Sequence, residues 1–303
     1  MKAIKLTFQG PVHFGTKRLS DSGYSFDAGT LFSALYIEAM RIGVQDELLD
    51  AARMGKLALS DAFPFIGDTL YVPKPVLPVV QERYGREGAA QDPRLRKAAK
   101  KLAYVPCNLL DGFLKGECNP VSMLEQFELG SSSEQSRVNL LREKSEDAEP
   151  FQVGRFRFSE GAGLYFLVGG DYNLSPIMEQ LSWSGLGGKR SSGCGRFVFE
   201  EVDFPMPTTV SREAGKARHM LLATAIPASG ELTDELLNGA NYKLVSKGGF
   251  AYSESARPMK KKEAFLFQSG SVFDRKFEGA VLDVRAGQPH PVYRYAKAMW
   301  MDV

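Results

Sequence analysis

Apolar and polar positions alternate from the start of the chain. Lys2, Ile4, Leu6 and Phe8 lie on one face, which predicts a strand over 2–8. The period then changes. Leu31, Leu35, Ala39 and Ile42 recur at helical spacing and predict a helix over 30–43, with Asp27 as its cap. A second short helix is expected over 46–54, then strands over 57–65 and 69–72. Pro73, Pro75 and Pro78 follow, and because proline donates no ladder hydrogen bond, the stretch 72–79 reads as a linker into a new unit.

In that unit a basic helix is expected over 92–104 and a short helical turn over 106–115. Strands are expected over 121–129 and 137–142, separated by Gly130-Ser131-Ser132-Ser133, and another over 151–158 after a charged turn. These strands read as a protruding β-hairpin. Arg137 and Asn139 share one face of its exposed strand and Arg142 the other, so guanidinium groups point both ways. The apolar run 164–168 suits a buried central strand, Ser175-Pro176 opens a helix to Trp183, and 197–202 is again a strand. With the hairpin and its helices set aside as an insertion, the first two hundred residues read β-α-β-β-α-β, the ferredoxin-like order. After Pro205-Met206-Pro207 come strands over 219–226, 242–246, 249–253, 264–267, 279–284 and 293–300 with one short helix over 231–237, a degenerate second unit of the same class. The expected fold is therefore α+β. Its first domain spans 1–204, with an insertion at about 80–160 and a glycine-rich loop at 185–196, and its second spans 205–303.

The chain has 303 residues with 38 Lys and Arg against 36 Asp and Glu, so any contact with a polyanion must come from local clustering of charge. No run approaches the roughly 18 apolar residues a membrane span needs, and no signal-peptide pattern is present, which leads to the expectation of a cytoplasmic protein without membrane contact. Three cysteines without a close pair and three scattered histidines give no grounds for a metal site or any other cofactor.

The glycine-rich loop carries the strongest chemical signal. Gly185, Gly187, Gly188, Gly193 and Gly195 alternate with Lys189, Arg190, Ser191, Ser192 and Arg196, and no acidic residue intervenes. Glycines admit positive φ and close approach of another backbone, and amide groups with cations suit consecutive phosphates of a single strand. Nucleotide loops do not fit. The glycine that a Walker loop needs falls on Trp183, and the third glycine of a dinucleotide fingerprint falls on Arg190.

Further candidates are His13 and Phe14 with Lys17 and Arg18 in the loop after the first strand, and the small, aromatic-bearing turns holding Lys247 with Phe250 and Ser271 with Phe273. The His13 imidazole is open to three readings: general base on a ribose hydroxyl, hydrogen-bond donor to RNA, or loop cap. Asp21 and Asp27 read as local capping rather than a metal pair.

The loop GLGGKRSSGCGRF over 185–197 resembles the signature of the RAMP superfamily of CRISPR effector subunits. Together with PVHFG at 11–15, LFSALYIEAMRIG at 31–43, LSDAFPF at 59–65, VPKP at 72–75, SGSVF at 269–273 and FEGAVLDVR at 277–285, it resembles the family of the fourth subunit of the type III-A (Csm) complex. That resemblance implies two ferredoxin-like modules and a non-catalytic subunit that holds the 5′ tag of the CRISPR RNA. It also implies contacts with the large signal-producing subunit and a backbone RAMP subunit. The hairpin would be the family's thumb, with Arg137 and Arg142 on RNA, and His13, Lys189, Arg190, Ser191, Ser192 and Arg196 fall on matching positions. Neither Asp21 nor Asp27 matches the target-cleaving aspartate of the backbone subunit. The alternatives are a metal-independent CRISPR-RNA processing endoribonuclease with His13 as base, and a purely structural interface protein.

Overall fold

The computed structural model describes residues 1–16, 18–77, 93–138, 150–205, 218–251, 259–287 and 290–303. Strand β1 (Lys2–Phe8) forms as its alternation predicts and buries Ala3, Ile4 and Leu6. A two-residue ladder, β2 (Phe14–Gly15) with β3 (Ser22–Gly23), follows. Helix α1 (Ala28–Ile42) is capped by the Asp27 carboxylate, which accepts from the Thr30 N–H at 2.7 Å, and ends at Gly43 with φ +77°. Its buried stripe holds Leu31, Phe32, Leu35 and Ala39, and also Glu38. Next come α2 (Gln45–Arg53), β4 (Leu57–Leu59), β5 (Phe63–Ile66) and β6 (Thr69–Pro73).

The single strand expected over 57–65 is interrupted. Leu59 pairs with Val168 and Phe63 with Tyr165, so Ser60, Asp61 and Ala62 face only Phe166 and Leu167. One extra residue makes this a bulge, and it turns Asp61 toward the C-terminal half.

The middle of the chain holds α3 (Pro93–Lys101), β7 (Tyr104–Pro106), α4 (Leu110–Leu114) and α5 (Pro120–Glu125). Two expectations fail here. Residues 120–125 are helical rather than extended, because Asn119 accepts from the Val121 N–H at 2.9 Å and Pro120 takes the first turn. The serine run is not a turn but the start of β8 (Gly130–Val138), which pairs residue for residue with β9 (Pro150–Phe158). An exposed strand needs no apolar pattern, and β9 supplies the buried Val153 and Phe156. Residues 139–149, which include most of the strand expected over 137–142, lie outside the described residues.

Strand β10 (Ala162–Gly170) is the buried centre of the main sheet, followed by α6 (Ser175–Ser184) and β11 (Phe197–Asp203). Asn173, rather than Ser175, provides the side-chain bond at the start of α6. The sheet runs β11-β1-β10-β5-β6-β7, antiparallel throughout, with β4 also on β10.

The C-terminal part comprises β12 (His219–Leu221), α7 (Asp234–Leu237), β13 (Leu244–Lys247), β14 (Ala264–Phe267), β15 (Val272–Phe273), β16 (Gly279–Asp283), β17 (Tyr293–Lys297) and β18 (Trp300–Asp302). The turn expected at Ser271 is followed at once by β15, which pairs with β12. In the sheet β15-β12-β18, Met220, Val272 and Met301 join the large core of the first half. Their neighbours Leu221 and Phe273 join a small aromatic cluster with Phe267 and Phe277, against which Trp300 packs. Strand alternation thus makes one sheet serve two cores.

Asp61 joins the halves. Its carboxylate accepts from the Ala28 N–H at 2.9 Å, the Thr224 N–H at 2.8 Å and the Thr224 hydroxyl at 2.7 Å. Burial, then the neighbouring Asp27 charge, push its pKa up to about 6 against these bonds. Tyr295 adds a second tie, its hydroxyl accepting from the Leu59 N–H at 3.0 Å. Among the described residues, no helix is long and apolar enough to cross a membrane.

Candidate nucleic-acid interface

Because β1 and β11 are neighbours in the sheet, the glycine-rich loop that precedes β11 lies against the segment that follows β1. Gln9 N–H donates to the Arg196 carbonyl at 2.9 Å, Gly195 N–H to Pro11 at 3.0 Å and Gly188 N–H to His13 at 2.8 Å. Two residue groups 175 to 187 positions apart in sequence therefore share one surface.

Several glycines are demanded by this packing. A Cβ on Gly187, at φ +88°, would stand 2.7 Å from the His13 carbonyl oxygen, and one on Gly195, at φ +85°, would stand 2.0 Å from that of Leu186. Gly193, at φ +80°, is needed only for its turn. The N–H groups of Leu186, Gly188, Ser192, Gly193, Cys194 and Gly195 donate to protein carbonyls, so the loop's attraction for an anion rests mainly on its side chains.

Those side chains converge. Lys189 is the one non-glycine with positive φ (57°) among the described residues, and its Nζ lies 5.5 Å from the centre of the Phe151 ring on β9. Arg137 on β8 donates to the Ser192 hydroxyl at 2.5 Å and to Gln135 at 3.0 Å. Arg190 stands 3.8 Å from Glu38, whose buried carboxylate also accepts from Arg41 at 2.9 and 3.1 Å and from the Ser184 hydroxyl at 2.7 Å. Ser191 and Arg196 are exposed. The β8–β9 ladder is held to this surface by paired bonds between Val12 and Phe156 and by the Phe8–Phe158 stack at 5.0 Å.

His13 is buried, and its Nδ1–H donates to the Gly154 carbonyl at 2.7 Å, leaving Nε2 as the free ring nitrogen. Phe14 does not offer a stacking face: it is 6% exposed and wedged between Phe8 and Phe26. Ser271 also leaves the candidate surface, being wholly buried, with its hydroxyl bound to Gln268 and to the Lys243 N–H. Phe197 and Phe273 are core residues. Arg18 and Asp21 occupy the exposed turn between β2 and β3. Lys17, Asn139 and Arg142 lie outside the described residues.

From this surface a groove of about 520 Å³ runs over α1 to the C-terminal half, bounded by His13, Gly187, Gly188 and Arg190 on one side and by Lys247, Phe250, Lys261 and Tyr293 on the other. Phe250 is 57% exposed, a free aromatic face at the groove's rim. Lys247 pairs with Asp27 at 2.5 Å. Burial opposes the charge on Asp27, but Lys247 and the Thr30 N–H outweigh it and hold its pKa below the ordinary carboxylate value. An adjoining cavity of about 630 Å³ is lined by Lys247, Gly248, Gly249, Lys261 and Arg294.

The groove and cavity unite Lys247 and Phe250 with the loop. They also bring in Lys261 and Arg294, and Arg190 brings in the buried Glu38 behind it; sequence reasoning passed over all three. Glu38 carries a readable signal, since a glutamate at 38 falls on the apolar stripe of Leu31, Leu35 and Ala39.

The profile of the CRISPR Csm4 C-terminal domain matches residues 214–303. Over nearly its full length the chain is similar to the CRISPR system Cms protein Csm4 of Mycobacterium tuberculosis (strain ATCC 25618 / H37Rv). The two are 35% identical over 294 residues, covering 95% of this chain and 93% of that relative. The Streptococcus thermophilus protein of the same name is 32% identical over 308 residues, covering 100% and 98%. Among solved structures, a chain of a Csm1-Csm4 cassette in complex with cA4 superposes with a TM-score of 0.63 at 22% identity, covering 99% of this chain and 96% of the other. A chain of a Csm3-Csm4 subcomplex of the type III-A CRISPR-Cas interference complex does so with a TM-score of 0.63 at 18% identity, covering 99% of both. These structural likenesses show a shared fold.

Proposed function

The chain belongs to the Csm4 family of type III-A CRISPR complex subunits, and from that premise we propose that it holds the 5′ tag of the CRISPR RNA, without catalysis, on the Gly185–Arg196 loop and the groove beside it. Solved relatives occur with Csm1 and with Csm3, which supports a place bridging the large signal-producing subunit and the backbone subunit. The observation that carries the RNA reading is the convergence of Lys189, Arg190 and the Arg137–Ser192 pair on one surface next to an exposed aromatic. Cations that track phosphates beside a ring that stacks a base are the ordinary means of holding a single strand.

Two ferredoxin-like modules, 1–204 and 205–303, are part of the same reading. In the first, the spatial order β11-β1-β10-β5 corresponds to fourth, first, third and second strands of a β-α-β-β-α-β unit. In the second, β18-β12-β15 repeats the fourth-first-third order, and β14, which pairs with β13, is bridged through Phe267 to Ala225, four residues beyond the end of β12. The β16–β17 ladder stands where the second helix would be. The β8–β9 ladder is the base of the thumb, and its long exposed strand suits insertion between guide nucleotides.

The test is the salt dependence of RNA affinity in the full chain carrying Lys189→Ala with Arg190→Ala. Glu38 keeps its bonds from Arg41 and Ser184 in that variant. The log–log slope should fall by about 0.7 for each single-strand phosphate contact removed. An unchanged slope would give the loop to a protein–protein contact. Discrete cleavage of repeat RNA in EDTA, abolished by His13→Ala, would instead mark a nuclease.

A further inference from the structure

The cavity between the two halves holds a charge imbalance that the loop does not explain. Lys247 and Lys261 line both the groove and the cavity, Arg190 joins them from the loop side and Arg294 from the far side. Asp27 is the sole carboxylate-bearing residue lining either space among the described residues. It is already committed to Lys247 at 2.5 Å and to the cap of α1. Arg294 is 9% exposed and donates to the Gly248 carbonyl at 2.9 Å, with no ion pair among the described residues. Lys261 is half-buried, and its backbone N–H, not its ammonium, bonds Gly249. Burial and then the charge of Arg294 press the Lys261 pKa down, and the Asp27 charge only partly offsets them.

Among the described residues Lys261 and Arg294 have only the carboxylate of Asp27, shared with Lys247, to offset their charge. Such an excess of half-buried like charge is costly, and an anion entering from solvent relieves it. The walls are made for close approach. A Cβ on Gly248 or Gly249 would meet no atom within 4 Å, so the backbone there lies bare to the cavity. Glycine at 248 is therefore not required by internal packing. Phe250, two residues on, presents its ring to the adjoining groove.

We propose that Lys261, Arg294 and Lys247, with the bare Gly248–Gly249 backbone, form a phosphate subsite in the C-terminal half, which seats a phosphate of the same single-stranded RNA that the glycine-rich loop holds. The inference rests on the RNA reading above and extends the strand's path across the junction of the halves. The phosphate is either an internal phosphodiester or the strand's terminal group, and both offer the same anionic oxygens.

The test uses the full chain and a fluorescent single-stranded RNA octamer, made once with a 5′-hydroxyl and once with a 5′-phosphate, titrated at several salt concentrations. Lys261→Gln should lower the log–log slope by about 0.7, Lys261→Arg should restore it, and equal melting temperatures should show that the fold is kept. A loss seen with both octamers assigns an internal phosphodiester; a loss confined to the 5′-phosphate octamer assigns the terminal group. A wild-type slope in Lys261→Gln, alongside a reduced slope in the Lys189→Ala, Arg190→Ala chain, overturns this subsite and leaves the loop reading intact. If neither variant changes the slope, both fall.

Discussion

The two halves of the chain reach burial by different routes. The first half builds a seven-stranded antiparallel sheet with α1, α2 and α6, and its central strand β10 buries six consecutive residues, Ala162 to Leu167. The second half has separate ladders of two or three strands and a helix of four residues. Its own cluster is small, and the other face of its three-stranded sheet is covered by the first half. The second half is thus completed by the first, and the surface where they meet is also where the groove and its cations lie. A binding site on such a junction depends on both halves being docked.

The sharpest way to break this comparison is to express residues 218–303 alone. Met220, Leu222 and Met301 then lose their cover, and no cooperative unfolding transition should be seen in a thermal melt, whereas the full chain should melt cooperatively. Next in size is Asp61→Ala in the full chain. It strips acceptors from two buried N–H groups and a hydroxyl and should cost about 3 kcal/mol or more in chemical denaturation. Asp61→Asn keeps one oxygen for the two N–H donors and should cost less.

The same pair of chains sharpens the pH behaviour. Burial, then the Asp27 charge, raise the Asp61 pKa to about 6 in the folded protein from 3.8, so folding favours its protonated form. That contribution is fully present below about pH 4 and is lost as pH rises through about 6. Stability from this group should therefore decline across that window, and Asp61→Asn should flatten the decline. The smallest effect is expected from Tyr295→Phe, which leaves the Leu59 N–H without its acceptor and should cost about 1 kcal/mol.

What was legible in the sequence follows from the range of the forces involved. Strands 2–8 and 264–267 and helix α1 with its Asp27 cap were readable because alternation, periodicity and capping act within a few residues. The helix at 120–125 was readable from Asn119-Pro120 but was masked by its apolar residues. Strand β8 was not readable, because an exposed serine-rich segment becomes a strand only through its partner β9. The bulge at Asp61 answers to Thr224, 163 residues away, and leaves no local mark.

The candidate site divides in the same way. The loop's composition points to its surface, but sequence does not reveal exposure, and Phe14 and Ser271, candidates by residue type, are both buried. Lys261 has no distinguishing mark in the sequence, since Lys260-Lys261-Lys262-Glu263 is a run of charges of the kind that usually forms a solvated face. Only the fold sets that lysine beside Arg294 in a cavity.

The central claim, that this subunit holds the tag on the loop and groove, is tested most directly by crosslinking. The assembled complex would carry CRISPR RNA with a photoreactive group at each tag position in turn, and the attached peptides would be mapped by mass spectrometry. Crosslinks on peptides containing Lys189 to Arg196 and Arg137 are the predicted result. Crosslinks confined to other subunits at every tag position would contradict it.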